Sequence, residues 1–158
     1  MSDSNPATER KPLFFEDFFV GQRFSSGSYV MTAERIRAFA AEFDPQPFHL
    51  DDEAARSSLF GGLAASGWHT AAVTMRLNVE GGLPLASGLI GAGAEVAWPR
   101  PTRPGDTLRV ESEVLEIIPS RSRADRGRVI AMTRTLNQNN EVVQTLKSQL
   151  VVFRRPAA

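Results

Sequence analysis

Apolar residues recur at helical spacing through the first half of the chain and at strand spacing through the second. Thr32 reads as an N-cap, and Ile36, Phe39, Ala40 and Phe43 follow at helical intervals, which predicts a helix over 33–43. Pro45 pushes the residue before it out of the helical region, so that helix ends at Asp44. Asp51 is placed to cap a short helix over 52–57, and 59–62 reads as a glycine-containing turn. The longest helical candidate spans 63–79, with Leu63, Ala64, Ala65, Trp68, Ala71, Ala72, Val73, Met75, Leu77 and Val79. It is apolar nearly all round and rich in alanine, which predicts a buried helix with close neighbours. Its charges, Arg76 and Glu80, sit at the end.

Gly81, Gly82 and Pro84 interrupt the chain, and strands follow. They are predicted over 92–98, 107–118, 127–136 and 142–153, with a hairpin turn at 137–140. The proline-rich run 99–106 cannot pair in a central ladder and is expected as a turn or edge loop. The last three strands are joined by short connections and should be antiparallel neighbours. A weaker strand is expected over 22–31, where Ser25-Ser26-Gly27 interrupts the pattern. Ahead of it Phe14, Phe15, Phe18 and Phe19 form an aromatic cluster expected to pack down as an arm. Residues 1–12 read as a flexible tail, and 13–155 as a single domain. One buried helix with a long antiparallel sheet wrapped around it is an α+β fold.

Composition narrows the function classes. A chain of 158 residues supports one full core. Eighteen basic and eighteen acidic residues cancel, which gives no pull toward nucleic acid or an anionic membrane. The lack of cysteine excludes disulfides, thiolate metal sites and cysteine nucleophiles, and fits a reducing compartment. No apolar run approaches the ~20 residues of a membrane span, and the polar start lacks a signal-peptide centre. A cytoplasmic location is the expectation. The two histidines, His49 and His69, are too far apart in sequence to suggest a zinc site, so no metal is expected.

Candidate chemistry concentrates in Phe43-Asp44-Pro45-Gln46-Pro47-Phe48-His49-Leu50-Asp51. The prolines hold Asp44 and Gln46 extended and predict a rigid loop rather than a helix. Asp44 and His49 on such a loop can share one water, and imidazole suits proton transfer because its ordinary pKa lies near neutrality. A dull explanation remains, in which Asp44 ends one helix and His49 is a satisfied polar group near the next. The second feature is Ala65-Ser66-Gly67-Trp68 at the head of the long helix. The first N–H groups of a helix lack internal partners, and glycine lets a ligand approach them closely. Gly67 N–H is therefore a candidate oxyanion donor; the alternative is that Gly67 only permits close packing.

The combination of Asp44, Gln46, Pro47, His49 and Asp51, then Gly67, then Pro104-Gly105-Asp106-Thr107 resembles the MaoC-like dehydratases, which include the (R)-specific enoyl-CoA hydratases. The resemblance runs from about residue 14 to 154. It implies a hotdog fold, in which a curved antiparallel sheet grips a long central helix, usually in a homodimer or a dimer of dimers. It also implies sites near the subunit interface, with Asp44 and His49 as the catalytic pair and Gly67 N–H as the oxyanion donor. The substrate would be a trans-2-enoyl thioester, with coenzyme A present as part of it and no separate cofactor. Gln46, Phe48, Ser66, Trp68 and Met75 would meet the substrate. Gln46 stands where the family often has Asn, Ser66 where it often has His, and Met75 where many members carry Ser.

Two rival readings stay in play: a hotdog acyl-CoA thioesterase, and a hotdog dimer that binds acyl thioesters without catalysis. Thioesterases of this fold commonly carry an acid on the central helix, and this helix offers only Glu80 at its far end. Elsewhere, His69 is expected to be a buried histidine bonded to a neighbouring strand. Arg121, Arg123, Arg126 and Arg128, and equally Arg100 and Arg103, read as solvated side chains. Either group has the chemistry to meet phosphates.

Overall fold

The computed structural model describes residues 11–157, so most of the tail expected at 1–12 lies outside the described residues. After a single 3-10 turn at Phe15–Asp17, the elements are β1 (Arg23–Met31), α1 (Ala33–Phe43), α2 (Pro47–Leu50), α3 (Asp52–Arg56) and α4 (Gly67–Leu77). Then come β2 (Ile90–Ala97), β3 (Asp106–Pro119), β4 (Arg126–Leu136) and β5 (Val142–Phe153). The five strands form one antiparallel sheet in the order β1-β3-β4-β5-β2. The fold is a hotdog: α4 lies against the sheet, and β3, β4 and β5 are consecutive neighbours as their short connections require.

The weak centre of β1 has a physical cause. Its pairing with β3 shifts register between Ser25 and Ser28, so Ser26 and Gly27 form a bulge. Ser26 Oγ uses the irregularity to accept a hydrogen bond from Val110 N (2.9 Å). Two apolar clusters fill the inside. One joins Ile36 of α1, Val73 and Leu77 of α4, and Met31, Leu108, Val110 and Val143 of the sheet. The other packs Phe15, Phe18 and Phe24 against Leu83, Val114, Val129, Leu150 and Val152. Of the four expected arm aromatics, Phe15 and Phe18 are buried, whereas Phe19 points outward.

The long helix is shorter than expected and less enclosed. Residues 63–66 run extended because their backbone is spent elsewhere: Ala64 N donates to Phe48 O (3.4 Å) and Ala65 N to Thr102 O (2.9 Å). Helix α4 therefore starts at Gly67. Past Leu77 the chain widens into a π-turn that ends at Gly82, with Gly81 at φ 138°. Trp68 (61% exposed) and Met75 (44%) face outward, as do Ala72 and Val79, so one face of the helix is uncovered. Strand β2 is an edge, and of its eight residues only Val96 is even half-covered.

Candidate active site

Asp44 takes φ −151° at the end of α1, as Pro45 demands, and Gln46 is extended. A loop was expected to continue to Asp51, but α2 begins at Pro47. Proline at the first helical position has the right φ and lacks only an N–H that would be unpaired anyway. That single turn carries His49 inward, where it is 4% exposed, and Asp51 caps α3 through Ala54 N (2.9 Å).

His49 Nδ1 donates to the carbonyl of Ala64 at 2.6 Å, which puts the proton of the neutral ring on Nδ1. Nε2 then presents a lone pair to Asp44 Oδ2, 3.3 Å away. Gln46 Nε2 donates to the other carboxylate oxygen, Oδ1, at 2.5 Å. Burial by itself pushes the Asp44 carboxyl up. The Gln46 amide and then the Ser66 hydroxyl outweigh it and hold the group below its ordinary value. The pair is thus a carboxylate oxygen and an imidazole nitrogen in direct contact, close enough for one water to touch both.

Gly67 is the first residue of α4, and among the described residues its N–H has no hydrogen-bond partner. A Cβ there would lie 2.6 Å from the Trp98 ring, so only glycine fits beneath the indole. Gly67 and His49 line one cleft of about 500 Å³. Its other walls include Phe60, Thr70, Trp98, Pro101 and Thr102. Asp44 does not line it in the single chain.

The expected substrate contacts divide. Gln46 and Ser66 surround Asp44, and Phe48 packs edge-on against the His49 ring with centroids 4.6 Å apart. Trp68 and Met75 lie outside the cleft on the uncovered face of α4. Sequence reasoning missed Trp98, Thr70 and Thr102 as site residues: Trp98 reads there only as the end of a strand, and the proline-rich loop that carries Thr102 only as a turn or edge loop. Arg103 is half-buried rather than solvated. Its guanidinium donates to the carbonyls of Gly62 (2.9 Å), Leu63 (3.3 Å) and Phe60, tying the two rims of the cleft together. His69 is buried as expected, but it stacks on Phe39 (4.5 Å, 5°), and its Nδ1 has no hydrogen-bond partner instead of one on a strand.

The five-stranded antiparallel sheet packed on a central helix makes the chain a hotdog protein. Residues 19–142 match the model of the MaoC like domain, and the chain belongs to this MaoC-like family. The crystal structure of the MaoC-like dehydratase from Rhodospirillum rubrum superposes with a TM-score of 0.91 at 65% identity, covering 92% of this chain and 99% of that one. The uncharacterized protein YdeM of Bacillus subtilis is 34% identical over 87% of this chain and 96% of its own length. The 3-hydroxybutyryl-CoA dehydratase of Methylorubrum extorquens is 30% identical over 73% of each chain. These relationships place the chain among hydro-lyases of the dehydratase and hydratase type.

Proposed function

We propose that the protein catalyses reversible hydration of a trans-2-enoyl thioester to the 3-hydroxyacyl thioester, with coenzyme A as the carrier. The observation that carries this reading is the Asp44–His49 pair 3.3 Å apart, with Nδ1 of the ring committed to Ala64. One water donates an O–H to Asp44 Oδ2 and the other to His49 Nε2. Its oxygen bonds to Cβ as one proton passes to the pair. That proton is then returned to Cα on the same face, so one C–O and one C–H bond replace the C=C π bond. Between these events charge gathers on the thioester oxygen, where Gly67 N–H and the positive end of α4 stabilise it. Similarity to a 3-hydroxybutyryl-CoA dehydratase supports a short acyl group. The thioesterase reading loses its acid, because Glu80 is exposed and paired with Arg76 at 2.9 Å.

The active form in this reading is a homodimer. The bare edge of β2 is a template for pairing with a second copy, and Gly91, Ala92, Gly93 and Ala94 leave no bulk to obstruct it. The exposed Trp68 ring meets Trp98, the residue after β2, edge-on at 5.3 Å, so the uncovered face of α4 continues into this edge. A second copy would cover both and bring its own surface to the cleft mouth.

The test is to mix purified protein with crotonyl-CoA and follow loss of the conjugated thioester. Hydration is expected in the wild type, with large losses in Asp44→Asn and His49→Ala. Unchanged rates in both variants would sink the assignment.

A further inference from the structure

The indole that covers Gly67 is held by a chain of buried polar groups reaching across the core. Trp98 Nε1 donates to Gln144 Oε1 at 2.9 Å, and Gln144 Nε2 donates to Thr74 Oγ1 at 3.1 Å. Thr74 Oγ1 also contacts Thr135 Oγ1 (2.6 Å) and donates to the carbonyl of Thr70 (2.9 Å). Gln144, Thr74 and Thr135 are all fully buried.

The directions are forced. A hydroxyl has one proton, and that of Thr74 is committed to Thr70 O, so both other contacts must be donated to Thr74. The Gln144 amide therefore turns its NH₂ toward Thr74 and its oxygen toward Trp98. The indole nitrogen, a donor only, requires the same orientation from the other end. Burying an amide is unfavourable unless it is bonded, and an apolar residue at this sheet position would avoid that cost. What the amide achieves is to tie Trp98, which stands on an edge and is 40% exposed, to the middle of α4.

We propose that Gln144 is a positioning residue for the acyl cleft. It locks the Trp98 ring against Gly67, and the locked ring sets how far the cleft extends from the oxyanion N–H, so that short acyl groups are favoured over long ones. The selectivity half of this statement rests on the hydratase reading; the lock does not.

Two measurements on the full chain test it. The first is hydrogen exchange at the indole Nε1–H groups by NMR. The Trp98 proton should exchange slowly in the wild type and rapidly in Gln144→Leu, with Trp98→Phe assigning the signal. Fast exchange in the wild type would overturn the lock. The second is the ratio of kcat/KM for octenoyl-CoA to that for crotonyl-CoA. Gln144→Leu and Trp98→Phe should each raise it by about tenfold, the scale of a pocket changed by roughly a methylene. The double variant should raise it no further than Trp98→Phe alone. A ratio that moves in Trp98→Phe but not in Gln144→Leu would overturn the proposal. Should Gln144→Leu fail to fold, Trp98→Phe decides, because it deletes the N–H and keeps a ring, and an unchanged ratio then overturns it. If the wild type turns over no enoyl-CoA at all, the hydratase reading and the selectivity half fail together, while exchange still decides the lock.

Discussion

His49 Nδ1 lies 2.6 Å from the carbonyl of Ala64, and this contact decides which ring nitrogen faces Asp44. Ala64 can serve because residues 63–66 are extended, held by backbone bonds to Phe48 and Thr102. The delayed start of α4 and the orientation of His49 are one structural fact.

That coupling makes Asp44 and His49 a unit acting on one water. General acid–base groups typically contribute about 10²–10⁴-fold, so Asp44→Asn and His49→Ala should each lower kcat on crotonyl-CoA by that order. Groups that act as a unit are not additive. The double variant should be little worse than the poorer single one, and multiplying losses would show that the two act independently.

Gly67→Ala tests the head of α4. The new methyl must displace the Trp98 ring, and overpacking of this kind costs about 1–3 kcal/mol. Thermal unfolding should show that loss, and kcat should fall with it. Adding Trp98→Ala removes the clash but leaves the buried Gln144 oxygen unpaired, so neither the stability nor the rate should return to the wild-type level. If Gly67→Ala alone leaves stability unchanged, the ring is not held where the structure places it.

The sheet and the acid–histidine stretch were legible in the sequence because they follow from local rules. Pro45 ends α1 wherever the rest of the chain goes, and the alternation in β3 to β5 needs only their short connections. What was not legible depends on contacts distant in sequence. Pro47 is compatible with a loop or a helix start, and the bond from His49 N to Gln46 O (3.0 Å) that closes the turn carries no sequence signature. Ala64 and Ala65 suit a helix by propensity, and tertiary backbone bonds override it. Trp98 entered the site only through the fold, which sets it over a glycine 31 positions earlier.

The uncovered face of α4 gives a prediction about assembly. Met75→Glu combined with Val79→Glu places two charges where a second copy is expected to pack. Size-exclusion chromatography with light scattering should show a dimer, or a pair of dimers, for the wild type and a monomer for the variant. A monomeric wild type, or a variant that stays dimeric, would show that this face does not carry the interface.

His69 makes stability depend on acid in a separate way. Burial, reinforced by the charge of Arg35, lowers its pKa from 6.5 to about 4. The unfolded chain therefore takes up a proton near pH 6.5 that the folded chain refuses until about pH 4. Stability from this residue is fully present above pH 6.5 and is lost as pH falls through that window, a change on the order of 2–3 kcal/mol by pH 4.5. The lowered carboxyl of Asp44 contributes in the same direction, but below the ordinary carboxylate range, so it leaves most of the window clear. In His69→Phe a second ring stacks on Phe39 without titrating. Urea unfolding at pH 7 and pH 4.5 should then show a gap smaller by about that amount than in the wild type. Equal gaps in the two proteins would mean that His69 titrates alike folded and unfolded, and that its stacking on Phe39 leaves it open to water.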